Sequence, residues 1–300
     1  MVQQANSRVK IIADTLHPDG YTRFTTFEFD MPKSYLAQLN THRSLVKSSE
    51  SSRAVPIYKF IKKVQQDLVI PHWTTAKKGM QGNKLDSSTI KYYLASLLWS
   101  GFSKLSMLGA YLLDKLGIHK QNANRLLEPF SRVKVLVSGT EWDNFFMLRC
   151  DEAAQPEFSN IANEARFLYK NSQPIQLNYG DWHIPYPNNM EGGINLTIEE
   201  KLLVYSARCA RLSYATHENV YSLEKDLELG KRLVLDKHFS PLEHIAQVVR
   251  RSYLEGSSTN VTIPSKLQKF LSWSQENKLV WTRQYSGFYT YRSQLEDTNE

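Results

Sequence analysis

Between Asn171 and Asn195 the chain carries Pro174, Gly180, Pro185, Pro187, Asn188, Asn189, Gly192 and Gly193. Such a density of breakers leaves no room for a regular element, so the periodic sequence on either side must organise separately. Residues 1–170 are expected to form one half, 171–196 a linker, and 197–300 the second half. The 300 residues are 41% hydrophobic and 12% aromatic, enough to bury a sizeable core. No window approaches 18 uninterrupted apolar residues, and Met1 to Lys10 is polar rather than signal-like. A soluble cytoplasmic protein is the expectation.

Within the first half, Val9 to Gln38 opens with strict alternation. Phe24, Thr26 and Glu28 fall on one face and Thr25, Phe27 and Phe29 on the other, with Pro32 as the breaker. This predicts a hairpin feeding a helix that carries Tyr35, Leu36 and Leu39 on one side and runs into the polar stretch Ser44 to Ser52. A polar loop over residues 71–88 precedes Ser88 to Leu116, where Tyr92, Ala95, Leu98 or Trp99, Phe102, Leu105 and Leu108 or Gly109 recur at three and four. That stripe reads as buried helical core. Further helices are predicted from Glu141 to Glu152 and from Pro156, the latter presenting Phe158, Ile161, Ala162, Ala165 and Leu168. In the second half, Thr197 and Glu200 form a capping box for a helix reaching Tyr214, and another helix follows Ser222 with Leu223, Leu227, Leu233 and Val234. The tail from Ile245 holds Trp273, Trp281, Tyr285, Phe288, Tyr289 and Tyr291, read as packing rather than as a stacking surface.

The net charge of +7 favours an anionic ligand, but the basic residues form no run, so small phosphorylated molecules suit the chain better than nucleic acid. Cys150 and Cys209 lack CxxC spacing and indicate neither zinc nor a disulfide. Gln38, His42, Arg43, Ser51, Ser52 and Arg53 form a polar helix end leading into a hydroxyl-rich turn closed by arginine. Hydroxyls, free N–H groups and a guanidinium suit a phosphate, although composition alone also allows a solvated serine loop. Arg149 stands among Phe145, Phe146, Leu148 and Cys150 and needs a partner to offset desolvation. Glu141, Asp151 or Glu157 could pair with it in a purely structural role. His238, Glu243 and His244 lack useful metal-ligand spacing, and His119 and His183 read as structural.

Three blocks together resemble the flavin-dependent thymidylate synthases. That family's signature is Arg-His-Arg, seven residues and Ser, with a Gln three positions before it and an Arg two positions after. Here Gln38 precedes Thr41-His42-Arg43, and Ser51 and Arg53 follow at the same spacing. Thr41 replaces the first arginine, and Ser48-Ser49 replace the usual Asn-Glu pair. The resemblance implies that Gln38, Ser51, Ser52 and Arg53 hold the nucleotide phosphate or sugar and that His42 and Arg43 face the flavin. A second block, Glu141 to Arg149 with Ala154-Gln155-Pro156-Glu157, is similar to the family's catalytic helix. By that likeness Asn144 contacts flavin and Arg149 contacts the pyrimidine ring, making Arg149 and Ser51 the catalytic candidates. Ala153 stands where the family often has a histidine. Arg125 resembles the family's nucleotide-binding arginine before Leu-Pro.

The third block, His238-Phe239-Ser240-Pro241-Leu242-Glu243-His244, resembles a flavin-holding segment that the family places before the signature. It follows Ala207 to Tyr214, which is similar to the family's opening helix. His238, Ser240 and Glu243 are the implied flavin contacts. Circular permutation and rearranged duplication both account for the displaced order.

The resemblance implies an α/β (α+β) fold with helices packed against a mixed sheet, assembled as a homotetramer with flavin sites between subunits. It implies FAD as cofactor and NADPH and methylene-tetrahydrofolate as co-substrates, with a one-carbon unit transferred to carbon five of dUMP. Hydroxymethylation of the base is a close variant, and a non-catalytic nucleotide- or nucleic-acid-binding module is the alternative of another class. A folate-dependent synthase of the other type needs an activated cysteine; the apolar neighbours of Cys150 predict burial instead. No metal and no membrane partner are expected.

Overall fold

The computed structural model describes residues 8–78, 82–187, 196–214, 222–249, 281–282 and 285–298. Trp273 lies outside them, as do the side chains of Ser213, Tyr214 and Trp281. The predicted hairpin forms β1 (Val9–Leu16) and β2 (Arg23–Pro32), antiparallel from Val9↔Phe29 to Leu16↔Arg23 with an irregularity between Ile11 and Ala13. A 3-10 turn, Lys33–Tyr35, leads into the short helix α1 (Leu36–Asn40) and then into β3 (Val46–Ser49). Helices α2 (Ile57–Gln66), α3 (Ile90–Lys115) and α4 (Lys120–Ala123) precede β4 (Arg132–Gly139). α5 (Asp143–Arg149) and α6 (Pro156–Asn171) follow, then β5 (Ile175–Gln176). These strands make a sheet ordered β3-β4-β2-β1-β5, antiparallel except that β5 runs parallel to β1. Helices packed on a mixed sheet are the architecture expected.

Side chains alternate across this sheet, and each face has its own cover. Phe27, Phe29, Met31, Val133, Val135 and Val137 meet Trp142, Phe145, Phe158, Ile161, Ala162 and Ala165 of the α5–α6 region. Full burial of each large aromatic there contributes about 2 kcal/mol. The opposite face meets the second half of the chain. A second sheet, ordered β6-β7-β10-β9-β8, comprises β6 (Trp182–His183), β7 (Ala246–Val248), β8 (Trp281–Thr282), β9 (Tyr285–Ser286) and β10 (Phe288–Thr290). Its Ala246, Val248, Tyr285 and Phe288 form one cluster with Phe24 of β2 and Val46 of β3. The C-terminal aromatics Tyr285, Phe288, Tyr289 and Tyr291 are buried, as read from sequence.

α7 (Ile198–Tyr214) begins with the predicted capping box, Thr197 Oγ1 accepting from the Glu200 N–H at 3.2 Å while Glu200 accepts from the Thr197 N–H at 2.9 Å. It lies against β3 and β4 and packs on α8 (Leu223–Leu235). The α7–α8 approach demands Gly230, where a Cβ would stand 2.4 Å from the Leu203 carbonyl oxygen. Asp226, fully buried, ties the pair by accepting from Arg211 at 2.6 Å and Arg208 at 3.3 Å. A last helix, α9 (Tyr291–Thr298), ends the described chain.

Three expectations need correction. The breaker-rich stretch is no bare linker: β5 and β6 lie inside it, each two residues long, because edge pairing needs only a few extended residues between turns. The polar run Ser44 to Ser52 is partly strand, since Val46–Ser49 pairs with β4. Much of the α3 stripe chosen as core faces outward: Leu98, Phe102, Leu105 and Leu108 are 63%, 60%, 62% and 52% exposed, whereas Trp99, the alternative to Leu98, packs inward. α3 instead buries Ser103 and Ala110, with Trp99, Met107 and Leu113 against α2 and the Asn124–Phe130 turn. The helix is apolar nearly all round, so periodicity could not select its inner face.

Candidate active site

Arg149 closes α5 beside the end of α1. Its Nε donates to Nε2 of His42 at 2.9 Å, and its Nη2 makes longer contacts with Thr41 Oγ1 at 3.3 Å and the Gln38 carbonyl at 3.4 Å. The guanidinium carbon lies 5.1 Å from the centre of the Phe158 ring. His42 is 4% exposed and stands edge-on to Phe145. Burial, then the charges of Arg149 and Lys47, push its pKa down to about 4, so the ring is neutral. Because Nε2 accepts from Arg149, the proton resides on Nδ1.

Among the described residues no carboxylate reaches ion-pair distance of Arg149, so the structural pairing with Glu141, Asp151 or Glu157 is not formed. Glu157 accepts from the His72 N–H at 2.6 Å, and Asp151 from the Ala153 N–H at 2.7 Å. Nη1 of Arg149 keeps its donors unused within the described chain. Gln38 is turned toward Gln155, whose side-chain oxygen accepts from its amide. The sequence reading missed Lys47, whose Nζ donates to the His42 carbonyl at 2.5 Å. Recognising Val46–Ser49 as a strand would have found it: period two puts Lys47 on the Val137 side, away from buried Val46 and Ser48.

β3 leads directly into the turn Ser51 to Arg53. Asn124 holds that turn by donating to the Ser52 and Val55 carbonyls at 2.7 and 2.9 Å. Ser52 Oγ donates to Glu128 at 2.6 Å, and the same carboxylate takes Lys33 at 2.9 Å and Arg125 at 3.0 and 3.2 Å. Burial raises the Glu128 pKa, but hydrogen bonds from Ser52 and Lys33, with the adjoining cations, outweigh it and hold the carboxyl below its ordinary range. Ser52 and Arg125 are therefore together, on an internal carboxylate the sequence reading had not considered. Ser51 is half-buried, while Arg43 and Arg53 are exposed with no partner among the described residues. The expected substrate residues fall into two groups, Arg149 and Gln38 with the expected flavin residue His42 beside the start of β3, and Ser51, Ser52, Arg53 and Arg125 at its end.

The displaced segment reaches β3 from the other face. His244, fully buried, bridges Ser48 Oγ at 2.9 Å and Ser138 Oγ at 2.7 Å, and exposed Ser240 lies 3.4 Å from Ser48 Oγ. Ser138 meets Thr26 Oγ1 at 2.7 Å, Thr26 meets His183 at 2.8 Å, and His183 meets Thr15 at 2.8 Å. Thr15 donates to the Phe24 carbonyl, which can only accept. From that end every bond has one direction: His183 donates from Nδ1 and accepts from Thr26, Ser138 donates to Thr26, and His244 donates from Nδ1 and accepts from Ser48. Burial pushes both histidines to about 3, His183 with a further contribution from His244. Glu243 is engaged by Arg292, while His238 and Asn144 are exposed without a partner among the described residues.

Cavities of about 330 and 340 Å³ lie elsewhere, the first along Arg8, Arg132 and Glu157 and the second along Trp182, Leu202 and Tyr291. None of the expected nucleotide or flavin residues lines either of these two. No cluster of metal-ligating side chains and no helix long and apolar enough to cross a membrane occurs among the described residues.

No curated protein matches the sequence. Among solved structures, a UMP/dUMP methylase PolB from Streptomyces cacaoi bound with 5-Br UMP is 12% identical over 54% of this chain and 87% of its own, with a TM-score of 0.42. Thymidylate Synthase X from Helicobacter pylori with FAD and dUMP is 16% identical over 48% of this chain, with a TM-score of 0.34; this chain spans 65% of that enzyme's length. A family model described as thymidylate synthase complementing protein matches residues 23–175, just over half the chain, which contain both β3-flanking groups. The chain thus belongs to the thymidylate synthase complementing protein family.

Proposed function

We propose that this protein is a flavin-dependent thymidylate synthase that acts on dUMP. The observation that carries the reading is Arg149: a half-buried guanidinium without a carboxylate, aimed by a neutral histidine and retaining free donors. Such a cation polarises a uracil carbonyl or stabilises negative charge on the activated ring, with no covalent nucleophile. Ser51, Ser52 and Arg53 take the nucleotide's phosphate or sugar, and Arg125 joins them by exchanging Glu128 for the incoming anion. Gln38 assists from α1.

The residues assigned to FAD fit it by their chemistry. Arg43, Asn144 and His238 offer exposed donors with no partner in the described chain; His42 meets β3 through Lys47, and Ser240 meets it through Ser48 on the opposite face. Glu243, held by Arg292, contributes by fixing the segment rather than by direct contact. Bound FAD supplies the redox step between NADPH and the one-carbon unit of methylene-tetrahydrofolate. The protein's part is to bind, orient and polarise. Cys150 is a poor nucleophile for a covalent route, since burial raises its thiol despite the charges of Arg166 and Lys170. Assembly as a homotetramer covers the outward apolar side of α3.

Purified protein should be yellow, be bleached by NADPH, and convert dUMP with labelled methylene-tetrahydrofolate to a product of the mass of dTMP. A product heavier by one oxygen identifies hydroxymethylation instead. Colourless protein that does not bind FAD and shifts single-stranded DNA refutes the enzymatic reading.

A further inference from the structure

Lys47 and Arg149 are both anchored on His42, one on its carbonyl oxygen and the other on its ring nitrogen. Lys47 extends from β3 on the Val137 side of the sheet, whereas its neighbours Val46 and Ser48 are buried on the opposite side. Both cations are partly buried, and among the described residues neither has a carboxylate at ion-pair distance. Elsewhere in this half four partly buried cations are neutralised, Arg23 by Asp14, Lys33 by Glu128, Lys63 by Glu50 and Arg132 by Asp30, while Lys120 and Arg166 stand apart from each other on the Ala54 carbonyl and the Asn163 amide oxygen. His42 offers no relief, because it is neutral and its acceptor nitrogen is spent on Arg149. Two desolvated positive charges around one residue, with no internal counterion, are an arrangement that an incoming anion stabilises.

We infer that Lys47 is a second substrate-binding cation, which together with Arg149 holds an anionic oxygen of the bound pyrimidine nucleotide. The inference rests on the functional reading above and adds to it a residue that no motif assigns. The anionic oxygen belongs either to the phosphate or to the ring as charge develops on it.

The test is calorimetric titration of wild type, Lys47→Met and Lys47→Arg with dUMP and deoxyuridine, alongside thermal melts of each. Lys47→Met keeps the chain's length and removes the charge; Lys47→Gln replaces it if the first variant fails to fold. Loss of one charge-assisted contact should raise the Kd for dUMP by about tenfold, and Lys47→Arg should recover most of the loss. The binding of wild type should also weaken more steeply with salt than that of Lys47→Met. A loss confined to dUMP assigns the contact to the phosphate, and an equal loss for deoxyuridine assigns it to the ring. A folded Lys47→Met that binds both ligands within about twofold of wild type overturns the inference. Should wild type bind neither ligand, the functional reading fails by itself. Pyrophosphate then decides the cation pair: weaker binding by Lys47→Met sustains it, and equal binding removes it.

Discussion

Lowering the pH from 7 to 5 perturbs three side chains that the fold requires to be neutral. His42, His183 and His244 are 4%, 0% and 0% exposed, with pKa values held down to about 4, 3 and 3 by burial. In the unfolded chain each returns to about 6.5. A histidine whose folded pKa is depressed is protonated first in the unfolded state, so its contribution is complete above about pH 6.5 and falls away toward the folded value. At pH 5 each therefore lowers stability by about 2 kcal/mol, and the three together by about 6 kcal/mol. That approaches the whole stability of an ordinary domain, about 5–15 kcal/mol. Near pH 5 the slope of unfolding free energy should be about 4 kcal/mol per pH unit, the signature of three protons bound on unfolding. Urea unfolding followed by tryptophan fluorescence at half-unit steps from pH 7 to 5 measures it. His244→Asn, which keeps polar atoms between Ser48 and Ser138, should reduce the slope by about a third. A wild-type slope below about 1.4 kcal/mol per pH unit, less than one proton, would show that these rings are not buried in neutral form.

Arg149→Ala should lower kcat by about a hundredfold or more while FAD absorbance remains, because its assigned partner is the pyrimidine; equal loss of flavin would contradict that assignment. Arg53→Ala should raise the Kd for dUMP by about tenfold, read by calorimetry, and an unchanged constant removes it from the phosphate group. Asp226→Asn leaves Arg208 and Arg211 facing a neutral amide between α7 and α8 and should cost about 3–5 kcal/mol in chemical denaturation. A change below about 1 kcal/mol would mean the buried pair is expendable. If the proposed tetramer is held through the exposed side of α3, Leu105→Glu should lower the solution mass measured by light scattering; an unaltered mass places any subunit contacts elsewhere.

The hairpin was legible because Phe24 to Phe29 alternate with period two, and α6 because Phe158, Ile161, Ala162 and Ala165 mark one face. In both, local pattern and tertiary burial agree. α3 failed the same test because apolar side chains surround it, leaving the choice of face to α2 and the Asn124–Phe130 turn. β3 was obscured by its serines: Ser48 and Ser49 read as loop, yet Ser48 satisfies its hydroxyl inside the fold through His244. The candidate site residues were nameable because their spacing was distinctive, but their pairing was not. Nothing in the sequence joins Ser52 and Arg125 through Glu128, or Arg149 to His42 across 107 residues.

The departures from the family signature acquire physical reasons once the corner is assembled. Thr41 stands where the signature has its first arginine, and its hydroxyl accepts from Arg149 at 3.3 Å. An arginine there would set a like charge beside Arg149, so the threonine permits the approach to His42. Lys47 supplies positive charge from the neighbouring strand instead. Ser48, in place of the signature's asparagine, faces the opposite side of the sheet from Lys47. There its small hydroxyl gives to His244 and lies beside Ser240, which a longer amide could not do without displacing the segment. The changes at Thr41 and Ser48 thus answer separate demands: the first accommodates Arg149 on the α5 side, and the second receives the His238–His244 segment on the opposite face of β3. On this reasoning Ser48→Asn should loosen the hold of the His238–His244 segment, and Thr41→Arg should disturb the Arg149 corner while leaving the segment in place.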